Sequence, residues 1–339
     1  MITTSIVIAS AKRKAAGPLS LSVVSENIPD PKGEEVLLEI EAIPIHLSDV
    51  YALEGTLKFF NPKPPYTPGL GGLARVAAKG PDVEGFDIGQ RVYLPFTLQG
   101  QGAWRQHVVL PSSSLRKAPE GDACQLCLIP SNGLTAYALL NCVTVLGAGD
   151  WLIQNAANSN VGRFVIALAK RSGIRTINIV RRVDVVADLK ALGADIVLLE
   201  SDDIAAAVKA AVGDSGKVKL GIDAIAGEET QRIVDAVSHG GTVVTFGMLS
   251  QLPLMVHPES LFLRAITVKG FFTHHATACM SKSQIELALN ELFELAADNT
   301  IDSKIAGTYS LRDIDVAVEH AKRTGASRDG KILLLPNHH

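Results

Sequence analysis

Gly149-Asp150-Trp151-Leu152-Ile153-Gln154-Asn155-Ala156-Ala157-Asn158-Ser159-Asn160-Val161-Gly162, continued by Arg175-Thr176-Ile177-Asn178-Ile179-Val180-Arg181-Arg182, is the stretch that decides the fold of this chain. An apolar strand runs into a tight turn of small polar residues, a helix follows, and a second strand ends in paired arginines. That is the layout of a phosphate-binding βαβ unit. Dinucleotide sites read Gly-x-Gly-x-x-Gly at this turn, whereas the three positions here hold Ala157, Ser159 and Gly162. Small residues still let the backbone approach a pyrophosphate, Ser159 adds a hydroxyl, and a helix opening at Val161 turns its N-terminus on the phosphates. Ser159, Asn160, Val161 and Gly162 are therefore the predicted phosphate-binding residues.

At the end of the second strand, where NAD-dependent folds place an acid on the ribose 2′-hydroxyl, this chain has Arg181 and Arg182. A carboxylate there repels a 2′-phosphate, whereas guanidinium forks hold it bidentately, so NADPH is the expected cofactor. Asp184 lies close enough in sequence to pair with one of the two arginines.

Outward from this unit, strands are predicted at Trp151 to Asn155, Thr176 to Val180, Ile196 to Leu199, Leu220 to Ala224, Thr242 to Phe246 and Thr267 to Phe271. Helices between them start near Val161, Val185, Ile204, Glu229 and Leu261. The alternation implies an α/β fold: a Rossmann-type, doubly wound parallel sheet of two mononucleotide halves. Upstream, Val36 to Ala42 and Leu73 to Ala78 read as strands, and prolines and the Gly69 to Gly72 cluster mark loops, the pattern of a compact, partly open β-barrel. Ser5 to Ala9 and Leu19 to Val24 read as two paired strands around Gly17-Pro18. A helical stretch from Ala123 to Leu140 leads into the parallel sheet, and a helix at Lys282 to Ala297 with a final strand at Gly330 to Leu335 is expected to return to the barrel. The expected domains are residues 1–118 with 275–339, and residues 119–274.

Composition narrows the class. The chain has 339 residues, 47% of them hydrophobic and 20% charged, with a net charge of -3. That is a globular composition, and its only basic cluster, Lys12-Arg13-Lys14, is too short to neutralise a track of phosphates, so no nucleic-acid partner is expected. No apolar run approaches the roughly 20 residues of a membrane span. The first 25 residues contain no acid and are rich in Ser and Thr, which sets a mitochondrial transit segment against the simpler reading as paired strands. Cytoplasm is the expected compartment, with the mitochondrial matrix as the alternative. Four cysteines, at 124, 127, 142 and 279, are too scattered for a disulfide framework, and the lone Cys124/Cys127 pair has no second half for a zinc site.

These residues resemble the medium-chain dehydrogenases/reductases, and within them the zinc-free branch of mitochondrial-type trans-2-enoyl-CoA (enoyl thioester) reductases and quinone reductases. The turn Ile153 to Ser159 and the strand Arg175 to Arg181 are most similar to the enoyl reductases, and Gly102-Ala103-Trp104-Arg105, Thr135-Ala136-Tyr137 and Gly240 to Gly247 agree. The resemblance implies a GroES-like catalytic domain beside the Rossmann domain, adds Thr135, Gly247 and Phe271 to the cofactor-binding set, and implies a homodimer formed through the sixth strand, Thr267 to Phe271. Zinc-using relatives carry a Cys at the position of His46 and a Gly-His-Glu where this chain reads Gly69-Leu70-Gly71. One ligand does not hold a catalytic zinc, which takes about three protein groups, so no metal is expected.

Without a metal, the implied reaction is NADPH-dependent hydride addition to an activated C=C bond, of a 2-enoyl thioester or an enone. Charge builds on the conjugated carbonyl oxygen, and the protein must offer hydrogen-bond donors there. In the enoyl reductases a tyrosine in a Gly-x-Tyr segment has that task, and here the segment reads Gly55-Thr56-Leu57. Tyr51, Tyr66 and the Thr135 hydroxyl are the candidate substitutes, with a backbone amide and the cofactor ribose as alternatives. Asn160 stands where relatives have glycine, a residue that tolerates unusual dihedrals. A quinone reductase of the same fold shares these features, and Leu57 keeps open an NADPH-binding sensor or interaction protein with little turnover.

Overall fold

Val36, Leu38 and Ile40 point into a core along Glu35–Pro44, with Glu35 and Glu39 exposed, Glu41 half-buried and Leu37 buried on the opposite face. In the computed structural model, which describes residues 2–8, 21–57, 65–95, 102–201, 203–213 and 216–337, that strand is the hub of the first of two units, residues 1–131 with 302–339. It pairs antiparallel with Gly72–Lys79, with His107–Pro111 and with Lys331–Leu334. The seven-stranded sheet runs Ile305–Tyr309, Lys331–Leu334, Glu35–Pro44, Gly72–Lys79, Arg91–Leu94, Arg116–Lys117, with His107–Pro111 off that path. Trp104, Ile332 and Leu334 close the core, and the helices Leu47–Glu54 and Ile314–Lys322 cover it. This is the GroES-like, partly open barrel. Ile2–Ile8 pairs antiparallel with Leu21–Asn27 as expected, while Gly17-Pro18 and Lys12-Arg13-Lys14 lie outside the described residues.

The second unit, residues 132–301, holds a six-stranded parallel sheet. In chain order its strands are Trp151–Gln154, Arg175–Val180, Ile196–Leu199, Val218–Asp223, Thr242–Thr245 and Thr267–Gly270. Spatially they run third, second, first, fourth, fifth, sixth, the doubly wound order, so the chain reverses direction across the sheet between the first and fourth strands. Leu152, Ile153, Ile177, Leu220, Val243 and Val244 are fully buried, because helices cover both faces of a parallel sheet.

Two expectations need correction. The stretch from Ala123 is not one helix: Ala123–Leu126 passes through a π-turn at Ile129–Gly133 into Leu134–Asn141. Pro130 removes a donor from the ladder and loosens it at that point. Taken whole, Ala123–Asn141 is 19 residues with a mean hydropathy of 1.2, long and apolar enough to cross a membrane, but it is mostly buried inside the protein. The helix Lys282–Ala297 belongs to the second unit and does not return to the barrel. Its buried stripe of Ala288, Leu289, Leu292 and Leu295 meets Leu134–Asn141, Leu292 fills the space over Gly133, and Glu291 and Glu294 pair with Arg171. The final strand, Lys331–Leu334, is in the first unit as expected.

Candidate active site

The first parallel strand ends in polar residues that look misplaced in an apolar run. Gln154 and Asn178 are fully buried on adjacent strands, and Gln154 Nε2 donates to Asn178 Oδ1 at 2.8 Å and to the Gly162 carbonyl at 3.0 Å. Asn178 Nδ2 in turn donates to Thr176 Oγ1 and to the Ile196 carbonyl. The strand is thereby tied to the helix Asn160–Arg171 behind it.

One residue on, Asn155 Nδ2 donates to Asp223 Oδ1 at 2.7 Å and Asn155 Oδ1 accepts from the Ala224 amide at 2.8 Å. Asp223 is fully buried at the end of the fourth strand, and its carboxylate also accepts from the amides of Ile225 and Ala226 and from Thr230 Oγ1. These bonds hold two turns in a backbone region that alanine rarely adopts, Ala156 at φ 46° and Ala226 at φ 68°. Such strain persists where surrounding bonds over-determine it, and it concentrates at functional sites. Asn160 is the first residue of an ordinary helix, so the unusual dihedral expected there falls on Ala156 instead.

At the turn, Ser159 caps the helix, its Oγ accepting from the Gly162 amide at 3.2 Å. Accepting uses a lone pair and leaves the hydroxyl proton for an anion. Gly162 is required: a Cβ there would stand 2.5 Å from the Ala157 carbonyl oxygen. This is the close helix approach that the third glycine of the motif serves, and it survives although the first two positions are Ala157 and Ser159. Asn160 Nδ2 is buried without a hydrogen-bond partner among the described residues, a donor beside the helix N-terminus. Val161 is buried under the turn.

Parallel pairing aligns the remaining predicted residues. Gln154 is level with Asn178 and Ile222, Asp223 with Thr245, and Thr245 with Gly270. Hence Ser159 to Gly162, Arg181, Arg182, Gly247 and Phe271 all follow strand ends on the carboxyl edge of one sheet, where α/β sheets bind ligands. Gly247 lies so close to Ala224 that a Cβ would meet its carbonyl oxygen at 2.4 Å. Thr135 joins this edge through Thr273, two residues beyond Phe271, with the hydroxyls 2.6 Å apart. The arginines differ. Arg182 is held bidentately by Asp184, at 3.0 and 2.6 Å, while Arg181 is exposed and has no carboxylate partner among the described residues.

The first unit carries a different set. Tyr51 and Tyr66 are both buried, and Leu57 follows the left-handed cap Gly55 at the end of Leu47–Glu54. The N-cap of that helix is His46, buried, with Nδ1 3.3 Å from Lys331 Nζ. The His46 amide donates to Asp49 Oδ2 at 2.9 Å. Burial, then the Lys331 charge, hold the His46 ring well below its ordinary value, so it is neutral. Burial pushes the Asp49 carboxyl up to about 7, against amide bonds from His46 and Gly69 and the charge of Lys331. Burial, then Arg328, brings Lys331 down to about 8. Sequence reasoning singled out His46 but missed Asp49 and Lys331. These residues do not fit zinc: the His46 Nδ1 faces an ammonium, Leu70 occupies the next ligand position, and no three metal-binding side chains converge among the described residues.

Comparison with known proteins agrees with this geometry. Residues 32–120 match the alcohol dehydrogenase GroES-like domain and residues 160–293 the zinc-binding dehydrogenase domain. The chain is 31% identical over 321 residues to the mitochondrial enoyl-[acyl-carrier-protein] reductase of Dictyostelium discoideum, covering 93% of this chain and 90% of that one. It is 30% identical to the Homo sapiens protein of the same name, covering 85% and 78% of the two. In fold it is similar to a putative NADPH:quinone reductase from Bacillus thuringiensis, with a TM-score of 0.87, 22% identity and 99% of each chain covered. A mutant enoyl thioester reductase from Candida tropicalis superposes with a TM-score of 0.84 at 22% identity, over 99% of this chain and 100% of that one. The chain belongs to the zinc-free medium-chain dehydrogenases/reductases, in the family of the mitochondrial enoyl-[acyl-carrier-protein] reductases, and is an oxidoreductase.

Proposed function

We propose that this protein is an NADPH-dependent reductase of 2-enoyl thioesters or enones. The observation that carries the cofactor is Arg181, an exposed guanidinium at the end of the second strand where an acid would select NADH. Arg181 takes the 2′-phosphate. Arg182 assists only by giving up Asp184. Gly162 and Gly247 let the backbone close on the dinucleotide, and Ser159 Oγ with the helix N-terminus takes the pyrophosphate. Reduced nicotinamide, when bound, supplies hydride to the β carbon of the acceptor. The chain's own task is to stabilise the carbonyl oxygen as charge builds on it, because no three metal-binding side chains converge among the described residues to do so.

The acceptor class rests on relatives of one name along most of the chain. Their mitochondrial names also give weight to the matrix over the cytoplasm. A homodimer is supported by the sixth strand, Thr267–Gly270, which pairs on one side only among the described residues and follows a segment in which Leu252, Met255, Phe262 and Leu263 are exposed. Light scattering should return twice the chain mass; a monomer refutes it.

The test is NADPH oxidation by purified protein. Turnover with crotonyl-CoA is the expected result, and turnover with a quinone alone moves the protein to the second reading. Tight NADPH binding with no acceptor oxidising it overturns both.

A further inference from the structure

Asp223 carries a charge that its own hydrogen bonds do not need. Its carboxylate is fully buried and its partners are all neutral: Asn155 Nδ2 at 2.7 Å, the Ile225 and Ala226 amides at 2.9 and 3.1 Å, and Thr230 Oγ1 at 2.7 Å. No ammonium or guanidinium pairs with it among the described residues; Arg232, on the helix Glu228–Ala236 that follows, pairs with Glu229. An asparagine in this place would satisfy the same set, its Oδ1 accepting from Asn155 and the two amides and its Nδ2 donating to Thr230 Oγ1. Burying a carboxylate without a cation is costly where a neutral isostere would serve, so the charge points to an action on something outside its own network.

Its place on the sheet identifies the target. On the reading above the pyrophosphate sits at the turn after the first strand and Arg181 takes the 2′-phosphate at the end of the second, so the adenosine half lies over the second and third strands. Each half of a doubly wound sheet takes one nucleotide, which leaves the fourth, fifth and sixth strands to the nicotinamide half. Asp223 ends the fourth strand, next to the first, and the loop after the fifth strand closes on it: Gly247 packs against the Ala224 carbonyl, and the Leu249 amide donates to the same oxygen at 3.2 Å. The oxidised nicotinamide ring is a cation and the reduced ring is neutral, so a buried negative charge on this edge distinguishes the two.

We propose that Asp223 is the residue by which this protein tells oxidised from reduced coenzyme: its carboxylate favours NADP⁺ over NADPH, the form left once hydride has gone. This rests on the cofactor reading above and not on the identity of the acceptor.

The test is Asp223→Asn in the full chain, with the Kd of NADP⁺ and of NADPH each measured by titration calorimetry and the melting temperature alongside. NADP⁺ should bind about tenfold more weakly and NADPH should move by less than about twofold, the scale of one unit charge acting over about 10 Å at an effective dielectric constant of about 20. Loosening of the turn would weaken both coenzymes alike, so equal shifts, or none, overturn the proposal while the cofactor reading stands. Thr230→Val, which removes one bond to the carboxylate and keeps its charge, should leave the ratio of the two constants as in the wild type; a ratio that moves as it does in Asp223→Asn overturns the proposal too. Should Asp223→Asn not fold, the wild type decides: NADP⁺ bound at least as tightly as NADPH sustains the proposal, and a preference for NADPH overturns it. A wild type that binds neither coenzyme overturns the cofactor reading and this inference with it.

Discussion

The polar cluster at the carboxyl edge of the parallel sheet and the one behind the barrel helix Leu47–Glu54 are equally buried and opposite in kind. In the first, the strand-end groups match one another: Asp223 accepts from four donors, Asn155 both donates and accepts, and Gln154 pairs with Asn178. In the second, three titratable groups sit within reach of one another, and burial drives His46, Asp49 and Lys331 toward their neutral forms. A satisfied network stiffens a backbone; a titratable one makes stability depend on pH. The contrast sets a stiff, hydrogen-bonded frame at the strand ends of the second unit against a titratable cluster in the first.

The largest expected effect breaks the satisfied cluster. Asp223→Ala leaves the Asn155 amide, two backbone N–H groups and the Thr230 hydroxyl without an acceptor, and at roughly 1–3 kcal/mol per buried orphan, with partial rehydration, it should cost about 4 kcal/mol in urea unfolding. A cost below about 1 kcal/mol would mean the network is not what holds the turns. Gly162→Ala follows, at about 3 kcal/mol, because the Ala157 carbonyl it meets is backbone and the helix must move to admit the methyl. Its NADPH affinity should fall together with its stability.

These two residues also mark how far the sequence could be read. Gly162 is visible because a turn motif fixes its spacing, and the six strands and Lys282–Ala297 are visible because periodicity is local. Asp223 is not, since its partner Asn155 is 68 residues away, and His46 meets Lys331 across 285. Pairings of that reach are set by the tertiary fold and leave no local pattern. The same limit explains the helix Lys282–Ala297: an amphipathic stripe says that one face is buried, not which unit buries it. The π-turn at Ile129–Gly133 interrupts an otherwise apolar run at Pro130-Ser131-Asn132-Gly133, breaker residues set between two apolar helical segments.

The titratable cluster should respond to pH instead. Asp49 has a folded value of about 7 against an ordinary 3.8, so the folded state binds the extra proton between those values, and stability falls as pH rises through that window. Asp49→Asn keeps an acceptor and removes the ionisation. Its stability relative to the wild type should therefore climb by about 3 kcal/mol between pH 4 and pH 7 and level off above. A difference that stays flat across that range would mean that Lys331 compensates the carboxylate fully.

The smallest effects separate the two arginines within the binding edge. Arg181→Ala removes a guanidinium with no carboxylate partner among the described residues and should raise the NADPH Kd by about tenfold, near 1.4 kcal/mol, while leaving NADH binding alone. Arg182→Ala should do less, because that side chain must first leave Asp184, an exposed pair worth about 0.5 kcal/mol. Asp184→Asn then becomes informative: freeing Arg182 should tighten NADPH by about twofold and leave NADH unchanged, measured by fluorescence titration of each coenzyme. If Asp184→Asn tightens both coenzymes alike, Arg182 serves the general electrostatics of the edge, and Arg181 alone reads the 2′-phosphate.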